Sequence, residues 1–144
     1  MRHMPTVTEM MTAFPVHVEE AISLDDALHL MKEHRCHHLP VLNHHDVVGL
    51  LTLADIELAR QPGHSARDIK ELTVGDMCQR SVPQVDLHIR LDVVLDMMAD
   101  EGLEAVLIMR HDRLAGILTA QDACRGFAHW LKKEYLPDND PSVA

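Results

Sequence analysis

The sequence predicts an α/β (α+β) fold built from two copies of one β-α-β-β-α unit. Three observations carry this. Displacing the chain against itself by 67 residues aligns residues 6–56 with 73–123 without a gap and gives 14 identities in 51 positions. Within each copy the apolar spacing switches from a helical period to short continuous runs and back. The composition is 47% hydrophobic but only 3% aromatic, so the core must be aliphatic, drawn from Leu, Val, Ile, Ala and nine Met. Residues 57–72 connect the copies, and 124–144 form a C-terminal helix extension and tail.

The elements follow in order. A short extended segment opens each unit, Val16-His17-Val18 or Pro83-Gln84-Val85. Ser23 then suits a helix N-cap, with Asp26 completing an acidic form of the capping box. Leu24, Ala27, Leu28 and Met31 recur at helical spacing, as do Leu91, Val94, Leu95 and Met98. The first helix should end near Arg35, and Gly102 suits the C-terminal cap of the second. Leu39–Leu42 and Val47–Leu51 are apolar runs joined by a short polar turn, which reads as a β-hairpin. Val106–Met109 and Leu114–Leu118 repeat that pattern. Thr52 and Thr119 open the closing helices, with Asp55 and Asp122 three residues on. In the connector, Pro62-Gly63 should break the helix begun at Thr52, and a second short helix is expected near 66–72 with Ser65 as its cap. The last helix runs on through the stripe Ala120, Ala123, Cys124, Phe127, Trp130 and Leu131. Lys132 and Lys133 complement its dipole, and Pro137–Pro141 should end order.

Charge and cysteine content narrow the function classes. The formal net charge is −10, which argues against a nucleic-acid duplex as partner. A small anionic ligand needs only local positive potential and stays open. Three cysteines, Cys36, Cys78 and Cys124, read as reduced thiols in a cytoplasmic protein. No apolar run approaches the ~20 residues of a membrane span. The N-terminal residues lack the apolar stretch of a signal peptide, so a soluble, cytoplasmic location is expected.

Thr119-x-x-Asp122 has two readings. A carboxylate can accept hydrogen bonds from both hydroxyls of a ribose, and a threonine hydroxyl at a helix start can meet a phosphate oxygen. The same spacing is a reciprocal capping box, and one side-chain pair can serve both roles. Twelve histidines include the cluster His34, His37 and His38. A helix ending near Arg35 and a strand after it would scatter these three, so they do not form a metal set. No metal site is assigned. Cys36 has no oxyanion element beside it, and no catalytic constellation appears anywhere, so the chain is not read as an enzyme. The Met10-Met11 and Met97-Met98 pairs read as core and interface filler.

Val7-Thr8-Glu9-Met10-Met11-Thr12, His37-His38-Leu39-Pro40-Val41 and the closing Gly49-Leu50-Leu51-Thr52-Leu53-Ala54-Asp55 resemble the cystathionine-β-synthase (CBS) domain in order and spacing. In the second copy the resemblance lies in Val74-Gly75-Asp76-Met77 and Gly116-Ile117-Leu118-Thr119-Ala120-Gln121-Asp122. It covers about residues 6–123. Copy two departs from the pattern where Glu104-Ala105-Val106-Leu107-Ile108 replaces the usual basic residue and proline.

The resemblance implies two units packed about a pseudo-twofold axis, with two clefts that offer sites for an adenosyl ligand such as AMP, ADP, ATP or S-adenosylmethionine. It implies a first, nucleotide-binding cleft joining Ile117, Thr119 and Asp122 to Thr12, Val16, Cys36, His37 and His38. A second, weaker cleft would join Leu50, Thr52 and Asp55 to Gln79, Pro83, Glu104 and Ala105. Glu104 should repel phosphate there, so nucleotide is expected in the first. No cofactor is required by this reading. The function expected is a stand-alone regulatory module that senses such a ligand and signals to an effector protein. The alternative is a constitutive interaction and dimerisation module with non-binding clefts. The Leu/Met helices and the Phe127-Trp130-Leu131 stripe offer more apolar surface than one module should bury, so a homodimer is expected.

Overall fold

A computed structural model of the chain describes residues 3–62 and 68–136. Repeat 1 runs α1 (Val7–Met10), β1 (Thr12–Ala13), β2 (Val18–Glu19), α2 (Leu24–His34), β3 (His38–Asn43), β4 (Asp46–Thr52) and α3 (Leu53–Ala59). Repeat 2 runs α4 (Val74–Met77), β5 (Gln84–Asp86), α5 (Leu91–Glu101), β6 (Ala105–Arg110), β7 (Arg113–Thr119) and α6 (Ala120–Tyr135). The expected β-α-β-β-α order is present in both. Ser23 caps α2 by accepting the Asp26 N–H at 3.0 Å. Arg35 and Gly102 close α2 and α5 in the left-handed conformation.

Each copy also carries an entry helix that the sequence reading missed. Thr6 with Glu9 and Thr73 with Asp76 form reciprocal capping boxes at the starts of α1 and α4. The signal was present as Thr-x-x-Glu and Thr-x-x-Asp, but a four-residue helix has no apolar periodicity to reveal it. The connector differs too. Helix α3 ends at Ala59, ahead of Pro62. Residues 68–72 form a turn, with the Leu72 N–H on the Asp68 carbonyl at 3.0 Å, rather than the expected second helix. Its expected cap Ser65, and the tail Pro137–Pro141, lie outside the described residues.

Two sheets result. One has the order β2-β3-β4, and the other β1-β7-β6-β5. In each, the hairpin is antiparallel and the short strand before the long helix pairs parallel with the hairpin's first strand. The hairpins are bulged at equivalent places, Val41/Leu42 and Ile108/Met109. Strand β1 belongs to repeat 1 but pairs with β7 of repeat 2, Thr12 against Ile117. Reciprocally, Gln79 of repeat 2 bridges Leu50 of β4, with both backbone hydrogen bonds made at 2.8 and 2.9 Å.

Three buried clusters hold this together. Leu24, Ala27, Leu39, Leu51 and Ile56 centre the core of repeat 1. Val94, Val106, Ile108 and Leu118 centre that of repeat 2. The third lies in the seam: Leu50, Ala105, Leu107 and Ile117 bury against one another. Each fully buried aliphatic side chain contributes roughly 1.5–3 kcal/mol relative to exposure.

The exchange of entry segments needs glycine at two equivalent positions. A Cβ on Gly49 would collide with the Gln79 carbonyl, and one on Gly116 would lie 3.0 Å from the Thr12 carbonyl oxygen. The Gln79 and Thr12 carbonyls are backbone and cannot rotate away, although at Gly116 the nearest atom is Sδ of Met11, a side chain that can swing aside. Gly49→Ala and Gly116→Ala should therefore each lower stability by about 1–3 kcal/mol, the cost of overpacking a tight site. Urea unfolding checks this; a loss below about 0.5 kcal/mol, the level of ordinary surface changes, would show that the crossing loosens freely.

Candidate functional site

The two crossings put one repeat's entry segment over the other's closing motif. At the first, β1 aligned on β7 carries Thr12 to Asp122. The Thr12 hydroxyl donates to Asp122 Oδ1 at 3.3 Å. Asp122 Oδ2 accepts the Thr119 N–H at 3.0 Å, and the Asp122 N–H donates to Thr119 Oγ1 at 3.0 Å. The capping box thus uses one carboxylate oxygen and leaves the other toward Thr12. Arg125 Nη1 lies 3.7 Å from Oδ1. Asp122 is 8% exposed and is the one buried charged side chain among the described residues.

At the second crossing Thr52 and Asp55 make the same box, with the Thr52 N–H on Asp55 Oδ2 at 2.8 Å. Here the Gln79 amide donates to Asp55 Oδ1 at 3.3 Å. Asp55 is half-buried. The helix mouths are partly filled by the chain itself. The Ala120 N–H is bonded to the Glu104 carbonyl and the Leu53 N–H to the His37 carbonyl, each at 2.9 Å. A phosphate would meet fewer free donors than at a bare helix start. The threonine hydroxyls accept in the cap and still hold a proton to donate.

The remaining candidates divide. Leu50, Ala105 and Ile117 lie in the buried seam cluster beneath both crossings. Val16 is half-buried against the core of repeat 1. The Pro83 carbonyl accepts the Leu107 N–H at 3.0 Å, which ties the approach to β5 onto β6. Cys36 and His37 line a groove between α2 and α3, together with Met31 and Ile56. Neighbouring residues at a strand entry point to opposite sides, so His38 faces elsewhere. Its Nε2 is 3.9 Å from Glu104 Oε2, across the seam. Glu104, expected in the second cleft, thus meets a residue expected in the first. His38 lies near enough to Asp122 and Asp55 for both carboxylates to act on its charge.

Burial is the main influence on the His38 imidazole and pulls its pKa below the usual 6.5. Glu104 opposes this, His37 reinforces it, and Asp122 and Asp55 oppose it further. The ring is therefore neutral at pH 7. Burial likewise raises the Cys36 and Cys78 thiols, keeping them protonated. No helix among the described residues is long and apolar enough to cross a membrane.

A family model for the CBS domain matches this chain twice, at residues 7–60 and 74–129. The YlbB protein of Bacillus subtilis is 37% identical over 71 residues, so the match spans about half of either chain, 49% of this one and 48% of YlbB. Hypoxic response protein 1 of Mycobacterium tuberculosis is 28% identical over 123 residues, 85% of both chains. Among solved structures, the CBS domain pair of protein MJ0100, in complex with 5′-methylthioadenosine and S-adenosyl-L-methionine, superposes with a TM-score of 0.75 at 23% identity, covering 89% of this chain and 99% of that one. CBSX2 in complex with AMP superposes with a TM-score of 0.71 at 24% identity, covering 87% and 97%. At such identity the two structures show the shared fold alone.

The His38 shift has a signed consequence. The unfolded chain takes up a proton here near 6.5, while the folded chain does so only at lower pH. Between those values the unfolded state binds more protons, so stability falls as pH drops below about 6.5. His38→Gln should flatten this part of the stability profile in urea unfolding between about pH 7 and 5.5. An unchanged slope would contradict the assignment.

Proposed function

The chain belongs to the CBS domain family, and on that premise we propose that it is a regulatory module binding an adenosyl ligand where Thr119 and Asp122 meet Thr12. The observation that carries the proposal is Asp122. Its cap uses Oδ2, while Oδ1 stays toward a threonine of the other repeat. A ribose can present both hydroxyls to that oxygen, with the phosphate beside the Thr119 hydroxyl. Ile117 would form the floor and His38 would flank the approach, while Cys36 and His37 line the separate groove between α2 and α3.

A ligand there would touch β1 of repeat 1 and α6 of repeat 2 together. It would favour whichever arrangement of the repeats holds those two segments at bonding distance. That difference in affinity is what a ligand needs to shift a population, and an effector protein would read the shift. The ligand class is AMP, ADP, ATP or S-adenosylmethionine; the complexes of the MJ0100 pair and of CBSX2 support it. The Asp55 cleft is the weaker one. Glu104 stands near the seam, where its carboxylate would repel a phosphate, whereas Asp122 has Arg125 at 3.7 Å. It would take an uncharged or cationic adenosyl group in preference to a phosphate.

A second reading, a constitutive interaction module, has its own support. Thr6-Glu9 and Thr73-Asp76 make the same box away from the clefts, so capping alone accounts for the motif. Calorimetric titration separates the two. AMP should bind the native protein, Asp122→Ala should weaken it by about tenfold or more, the scale of a lost charge-assisted hydrogen bond, and Asp55→Ala should change it little. The reverse order would sink the cleft assignment, and no binding by any adenosyl compound would leave the interaction module.

We also propose a homodimer through α6. Phe127 is 59% exposed and Leu131 39%, on the same helix face. Phe127 stacks on Trp130 with ring centroids 6.0 Å apart. Sedimentation should show a dimer that Phe127→Glu dissociates; a native mass that stays monomeric at every concentration would refute it.

A further inference from the structure

The groove between α2 and α3 has a volume of about 420 Å³. That lies within the range of roughly 300–1,000 Å³ typical of small-molecule sites. Its floor is aliphatic: Leu28, Met31, Leu53 and Ile56. Its rim carries Lys32, Arg35, Arg60 and His37, against one carboxylate, Glu57. Lys32, Arg35 and Arg60 form no ion pair among the described residues. In a chain of net charge −10, this is a local concentration of uncompensated positive charge.

Repeat 2 supplies an internal control. The 67-residue offset places Ala99, Gly102, Phe127 and Glu104 where repeat 1 has Lys32, Arg35, Arg60 and His37. The elements are equivalent, and every basic group of the rim is gone. The fold therefore does not require those charges. Arg35 makes the point most sharply. It holds φ 54°, ψ 45°, while Gly102 in the matching cap holds φ 65°, ψ 38°. A left-handed conformation suits glycine and strains a residue with a Cβ. Repeat 1 accepts that strain and so keeps a guanidinium at the groove. Such outliers point to function when the surroundings hold them in place.

We propose that this groove is a second ligand site, separate from the clefts between the repeats, for a small amphipathic anion. A carboxylate or phosphate head would sit among Lys32, Arg35 and Arg60, with a short aliphatic body on the floor. Arginine's fork of donors matches both head groups. The site also touches the seam. Leu53 follows Thr52 directly, so an occupant presses on the helix whose first turn contains the Thr52–Asp55 box.

Hexyl phosphate and hexanoate are suitable probes, with inorganic phosphate and hexanol testing the head and body separately. Titration of the whole protein, followed by calorimetry and amide NMR, should show saturable, salt-sensitive binding of the two amphipathic anions. The shifts should centre on residues 32–37 and 53–60. Inorganic phosphate and hexanol should bind at least about tenfold more weakly, since each lacks half of the interaction. Arg35→Gly and Arg60→Gln should each weaken binding by about tenfold. Arg35→Gly should also raise the melting temperature, because it relieves the cap, which shows that lost binding is not lost folding. Arg113→Gln, at the start of β7, should leave affinity unchanged. Binding that survives both groove substitutions, shifts centred on residues 119–122, or no saturable binding would overturn the proposal. So would groove amides that respond to protein concentration in place of ligand, because a second copy would then be the occupant.

Discussion

Both candidate clefts in this chain depend on one backbone exchange. Each repeat sends its entry segment across to hydrogen-bond with the other's closing hairpin, Thr12 on Ile117 and Gln79 on Leu50. The exchange is possible because Gly49 and Gly116 let another backbone approach the hairpin. It places a side chain from one repeat beside a helix cap from the other, at both ends of the seam. The buried cluster of Leu50, Ala105, Leu107 and Ile117 then fixes the spacing beneath. Neither repeat could build either cleft alone.

On this symmetric frame the chemistry is asymmetric. The equivalent crossing residues are a hydroxyl at Thr12 and an amide at Gln79. Each donates to the outer carboxylate oxygen of the facing aspartate at 3.3 Å, and Asp122 also has the Arg125 guanidinium 3.7 Å away. At the midline a neutral His38 and an exposed Glu104 face each other. The outer groove is basic in repeat 1, and repeat 2 has no basic residue at the matching positions. Duplicated folds diverge most cheaply at such exposed positions, where a substitution costs little stability, and Arg35 is the exception that costs some.

Much of the fold was legible because long elements write strong patterns. The helices Leu24–His34 and Leu91–Glu101 and both hairpins follow from apolar spacing and turn chemistry. The entry helices Val7–Met10 and Val74–Met77 escaped because four residues are too few for periodicity, although their capping boxes were in plain view. Residues 68–72 were expected to be helical and turn once instead, held by local bonds to Asp68. At the site, pairing of Thr12 with Asp122 came from the family resemblance; no local pattern encodes a contact 110 residues apart. The opposite facing of His37 and His38 was harder still. It depends on the phase of a strand's first residue, which a one-residue shift would reverse.

The central claim is that Asp122 holds a ribose across the seam. A crystal structure grown with AMP tests it most directly. The account predicts one nucleotide at the first crossing, with its ribose hydroxyls on the Asp122 carboxylate and its phosphate near the Thr119 hydroxyl. Nucleotide seated against Asp55 alone, or both crossings closed by Thr12 and Gln79 with AMP at neither, would contradict it.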